Sequence, residues 1–158
     1  MLLKRIFSLS MMIVLLFGSV QAAYAGIKVE NGDCPVYIAN HQMGSQLVQN
    51  PNGSLSMHGL ITGFMAQKFP LDTYFRTMTT FVATRKYQTD YATIVLTDST
   101  GKNKLATSDF KMVFEREGVP YVKVSDWKVS FPSEGFYAFN IFVDGTLVGY
   151  YPISVTGK

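Results

Sequence analysis

Residues 131–155 read FPSEGFYAFNIFVDGTLVGYYPISV, and the reading of this stretch decides the fold. Between Phe136 and Val143 every second residue (Tyr137, Phe139, Ile141, Val143) is large and apolar. A pleated strand has a period of two, so it points all four to one side. Asp144-Gly145 then suits a two-residue type I′ turn, whose central residues both need positive φ. Residues 146–155 form the return strand. Regular pairing about this turn sets Ile141 opposite Val148, Phe142 opposite Leu147, Phe139 opposite Tyr150 and Ala138 opposite Tyr151. Both faces of the hairpin are then apolar. Tyr137, Phe139, Ile141, Val143, Val148 and Tyr150 form the core side, and Phe136, Phe142, Leu147 and Tyr151 gather on the other. The second face predicts either a covering loop, with residues 63–71 as the candidate, or a contact surface for a partner.

Upstream, short strands recur between turn signals. Residues 36–43 begin with β-formers, with Cys34, Val36 and Ile38 on one face and Tyr37 on the other. Asn50-Pro51-Asn52-Gly53 is a dense turn signal, and a second strand over 55–61 follows, with a bulge or close packing predicted at Gly59. The threonine- and aromatic-rich residues 73–84 read as a strand. Residues 91–97 form another, with Ala92, Ile94 and Leu96 inward, before the turn at Asp98-Ser99-Thr100-Gly101. Phe110, Met112 and Phe114 alternate in the next. Residues 121–131 alternate too, without deciding which face is buried. Residues 63–71 read as a loop dropping Phe64, Met65 and Phe69 onto one end of the core, Pro70 arguing against a helix. Seven to eight short strands with no convincing helix predict an all-β, antiparallel β-sandwich, with a closed barrel as the structural alternative.

The first residues read as an address. Lys4 and Arg5 precede an apolar run too short to span a bilayer comfortably, and Ala23-Tyr24-Ala25 before Gly26 gives the small-x-small cleavage pattern. The expectation is a signal-peptide helix over residues 1–25, a single domain over 26–158, secretion or a periplasmic location, and no stable membrane insertion after cleavage. Cys34 is the only cysteine, so no intrachain disulfide can form, and its setting is not that of a lipidation site. Removing the leader takes two of the 14 basic residues against 11 acidic ones, so the mature domain is nearly neutral. Scattered single charges argue against nucleic acid as a partner.

The pieces NPNGSLSMHGLITGF, Phe69-Pro70, YATIVLTDSTGK and the C-terminal hairpin occur in an order that resembles a family of uncharacterised bacterial and phage domains. Its members run N-G-K-L-x-h-x-G, L-x-D-x-x-G and a terminal G-x-Y-x-F-x-h-x-V-D-G-x-x-V. The resemblance covers nearly the whole chain after the leader and implies an immunoglobulin-like sandwich. It implies no activity and transfers no functional residue. The leader departs from the family members, which often lack one.

No catalytic set is recognisable: G-x-S-x-G, H-E-x-x-H, C-x-x-C and a glycine-rich phosphate loop are all missing from the sequence. His41 and His58 fall on neighbouring strands, staggered by about four residues if Pro51-Asn52 centres the hairpin, which makes them a poor zinc pair. Asp98, Asp109, Asp126 and Asp144 read as turn or cap formers at or near turns, and Glu115 and Glu117 as a solvated edge. Asn52-Gly53-Ser54 satisfies the glycosylation sequon but reads as turn chemistry. Cys34 reads as a small core residue. The sequence therefore points to a non-catalytic binding protein without cofactor or metal. Its expected partner is a protein or envelope component, engaged through Phe136, Phe142, Leu147 and Tyr151. The alternatives are a self-associating structural module and a small-molecule binder or hydrolase lacking a recognisable motif.

Overall fold

A computed structural model describes residues 34–86 and 88–158. The expected leader, its cleavage position at Ala23, Ala25 and Gly26, and residues 26–33 lie outside the described residues. Nine strands follow in order: β1 (Val36–Gln49), β2 (Leu55–Leu60), β3 (Gly63–Ala66), β4 (Leu71–Ala83), β5 (Gln88–Asp98), β6 (Lys104–Phe114), β7 (Pro120–Phe131), β8 (Gly135–Val143) and β9 (Thr146–Gly157). They form a β-sandwich. The smaller sheet runs β2-β1-β4-β7 and the larger β3-β9-β8-β5-β6.

The sandwich follows from period-two burial in each strand. In β5, Ala92, Ile94 and Leu96 are buried inward as expected. In β7 the structure settles the open face: Ser125, Trp127, Val129 and Phe131 point into the core, while Val122 is exposed. Trp127 donates its indole N–H to the Thr77 hydroxyl at 2.8 Å, which satisfies the one polar atom its ring carries into the interior. Phe139 of β8 packs against Phe75 and Trp127 of the opposite sheet, with ring centroids 6.1 and 5.0 Å apart. These aromatic contacts join the two layers.

Two expectations need correction. Residues 63–71 are not simply a loop. Having left β2 at the edge of the small sheet, the chain crosses at Ile61-Thr62 and lays β3 along β9, giving one parallel pair in an otherwise antiparallel structure and a ninth strand. Phe64 then packs on Phe75 and Phe131 as expected, and Phe69 is partly buried against the core. Met65, one step out of phase, is left exposed.

The second correction concerns the C-terminal hairpin. Asp144 and Gly145 both take positive φ, 46° and 81°, and Phe142 faces Leu147 as expected. The ladder then shifts between Phe142 and Ile141. Ile141 faces Gly149, Asn140 faces Tyr150 and Phe139 faces Tyr151. One extra residue, Val148, sits in β9, and such a bulge moves every later side chain to the opposite face. Tyr151 therefore belongs to the inner side and Tyr150 to the outer.

Candidate binding surface

The outer face of the large sheet is built by the odd residues of β5 and the even residues of β8. Tyr91 is 63% exposed and Phe136 66% exposed, and Phe142 and Leu147 are half-buried. Val95 and Ala138 are buried on this same face by their neighbours. The covering loop expected from residues 63–71 is not there, because that segment continues the sheet as β3 at its edge. Among the described residues, no strand of either sheet lies over this face. Tyr91, Thr93, Val95, Thr97, Asn140 and Phe142 line an open groove of about 460 Å³. Its polar groups are pre-positioned: Asn140 donates to the Thr97 hydroxyl at 3.0 Å, and the Thr93 hydroxyl donates to Asp109 at 2.6 Å. Of the expected surface residues, Phe136, Phe142 and Leu147 share this face and Tyr151 does not.

Tyr151 instead stacks on His41 of the other sheet, with ring centroids 4.3 Å apart. With Met43, Ile61, Phe139 and Ile153 they line a cleft of about 360 Å³ between the sheets. His41 Nδ1 bonds the Thr79 hydroxyl at 2.8 Å, while its Nε2 is buried without a partner. Burial pushes the His41 pKa down to about 4, so the ring is neutral near pH 7. His58 pairs with Gln46 on β1, five residues from His41 and so on the opposite face of that strand. The two histidines are not brought together.

The remaining singled-out residues resolve individually. Asp98 accepts from the Thr100 hydroxyl at 2.7 Å, from the Thr100 amide and from Asn103, and these bonds hold its pKa below the usual range. Asp144 accepts the Tyr91 amide at 2.9 Å. Asp109 and Asp126 lie within strands and not at turns, which corrects the expectation for both. Asp126 accepts from the Tyr74 hydroxyl at 2.5 Å and from Arg76 Nε at 2.7 Å, an exposed trio on the outer face of the small sheet. Sequence reasoning missed this trio; the available signal was Tyr74 and Arg76 two apart on one strand. Glu115 and Glu117 are exposed. Asn52 accepts from both the amide and hydroxyl of Ser54, an Asx turn. Cys34 is a partly buried free thiol packed against the core.

A family of unknown function, DUF6941, matches residues 45–156. The chain belongs to this family. The DUF6941 region includes the whole of the groove lining and the hairpin up to Thr156, and it begins four residues after His41. No curated protein matches the chain. Among solved structures, the chain is similar to the Pseudomonas fluorescens alkylpurine DNA glycosylase AlkC, solved bound to DNA containing an abasic site analogue. That likeness has 14% identity over 77% of this chain and a TM-score of 0.45, and the chain covers 30% of the glycosylase. It is also similar to the CARDB domain of a Pyrococcus furiosus protein, solved in complex with di-metal ions. Here identity is 10% over 77% of this chain and 96% of that domain, with a TM-score of 0.41.

Proposed function

We propose that this DUF6941 member is an exported, non-catalytic binding module that engages a protein of the cell envelope through the outer face of its large sheet. The observation that carries the reading is the aromatic face bearing Phe136, Phe142, Leu147 and Tyr91, over which no strand lies among the described residues. Large apolar side chains grouped on one exposed face are costly to leave in water, and a partner that covers them recovers that free energy. Export is supported by Lys4, Arg5 and the apolar run that precedes Ala23-Tyr24-Ala25. In the groove Asn140 donates to Thr97 and Thr93 to Asp109, and its lining holds neither histidine nor cysteine, which favours binding over chemistry.

The test compares the wild-type protein with the double variant Phe136→Ser and Phe142→Ser, each immobilised and exposed to envelope extract of cells that encode it. The expected outcome is a discrete partner retained by the wild type and lost by the variant, with melting temperatures within about 2 °C of each other, as surface changes of this kind allow. Equal retention by both proteins sinks the reading. So does a variant that no longer melts cooperatively, since the face would then be part of the core.

A second reading, self-association, is favoured by β2, which among the described residues is an edge of the small sheet and exposes Leu55 and Leu60. Sedimentation velocity at several concentrations separates it from the first: a monomer throughout excludes it.

A further inference from the structure

The first half of β1 is held less fully than the second. From Gly44 onward β1 lies between β2 and β4, but residues 36–42 pair with β4 alone, and among the described residues no strand lies along their other edge. The ladder to β4 is itself interrupted between Ile38 and Asn40. Side chains press this half onto the large sheet. Ile38 fills the space beside Gly149 of β9, and the His41 ring stacks on Tyr151 with centroids 4.3 Å apart and meets Phe139 edge-on at 5.4 Å.

The ring suits this place only while it is neutral. Thr79 satisfies Nδ1 at 2.8 Å, whereas Nε2 has no partner and presents no surface that a water molecule could reach. A neutral imidazole with its proton on Nδ1 leaves only a lone pair unpaired there. Protonation would add an N–H and a full charge at the same spot, and a buried charge with neither hydrogen bond nor counter-charge is expensive. The surroundings supply no counter-charge. β4 presents Thr79, β8 Phe139, β9 Tyr151, Pro152 and Ile153, and the crossing at Ile61-Thr62 its own two side chains. Tyr151 is the one titratable group among them, and burial raises its pKa, so it stays neutral in acid. A proton therefore binds readily only to a form in which the ring has reached water.

We propose that His41 is an acid-sensitive latch: as the pH falls through the range in which a free imidazole takes up a proton, the ring leaves Phe139 and Tyr151, and residues 36–42 lift from β9 and open the cleft while the rest of the sandwich stays folded. The latch lies on the inner side of the sheets, independent of the outer face and of any partner there.

The test is amide hydrogen exchange of the purified chain at pH 7 and pH 4.5, each rate corrected for the pH dependence of exchange in an unfolded chain. Protection over residues 36–42 is expected to fall roughly tenfold or more on acidification, because the open form binds the proton and the closed form does not. At pH 4.5 these amides should exchange faster than those of β5 and β8, and low denaturant should leave their rates unchanged, as local opening requires. His41→Phe, which keeps a ring against Tyr151 but cannot titrate, should remove the acid response of residues 36–42. If it does not fold, His41→Gln takes its place, since its amide can bond Thr79 and does not titrate. Equal protection of β1, β5 and β8 at pH 4.5 overturns the proposal, because the ring would then titrate only when the whole domain unfolds. An acid response retained in the variant overturns it too.

Discussion

His41 shows how one side chain can carry a pH dependence. The folded ring holds a proton only below about pH 4, whereas in an unfolded chain it does so below about 6.5. Between these values protons bind the unfolded chain preferentially, so stability falls as pH falls through the window. The loss amounts to at most about 3 kcal/mol, and partial exposure of the ring reduces it. Denaturant unfolding at pH 4.5 and 7 should show this loss in the wild type and a smaller one in His41→Phe, which keeps a ring against Tyr151 but cannot titrate. Equal pH slopes in the two proteins would contradict the assignment. Neither the burial nor the stacking was legible in the sequence. Both depend on β1 crossing β9 from the other sheet, and nothing within residues 36–43 specifies that neighbour.

At the scale of the element, the bulge in β9 decides what the C-terminal hairpin presents. The alternation in β8 and the Asp144-Gly145 turn were fully legible, since each rests on local chemistry. The extra residue at Val148 was not, because a bulge leaves the alternation on either side intact and only exchanges faces between them. Gly149 is the trace it leaves. A Cβ there would stand 2.5 Å from Ile38 Cδ1 of the facing sheet and 2.9 Å from the Tyr151 ring of its own strand, so a side chain at this position forces its neighbours to shift. Gly149→Ala is expected to destabilise by about 1–3 kcal/mol. Adding Ile38→Val, which removes the nearer obstructing atom, should recover part of that loss in a double-mutant cycle measured by denaturant unfolding. Strict additivity would show that the two residues do not meet. The β3 strand was illegible for a related reason. Four residues lying parallel to a distant edge give no hairpin signal, and Pro70 nearby reads as a loop.

For the molecule as a whole, eight of the nine strands and the two-layer arrangement could be read from period-two patterns, because burial on one face imposes that period, while β3 escaped the count. The candidate surface was half legible: Phe136, Phe142 and Leu147 stand where regular pairing puts them, and Tyr151 does not. The lone tryptophan provides a global probe. Trp127 belongs to the small sheet but packs on Phe139 of the large one. Its fluorescence and the far-ultraviolet circular dichroism of both sheets should therefore report coincident unfolding transitions. Separate midpoints would mean that the layers come apart independently.

The order in which the chain visits its two sheets has a further consequence. From β1 to β9 it changes layer five times, between β2 and β3, β3 and β4, β4 and β5, β6 and β7, and β7 and β8. A fragment with the whole small sheet must run from β1 to β7 and one with the whole large sheet from β3 to β9, so neither sheet can be cut out without strands of the other. Cutting the gene in two should yield halves that are each insoluble alone, and that recover a fold only when expressed together. During synthesis the nascent chain must wait for β9 to emerge before the large sheet can close. The parallel partners β3 and β9 stand at opposite ends of that wait, which makes the unpaired β3 edge the region most in need of protection until β9 emerges.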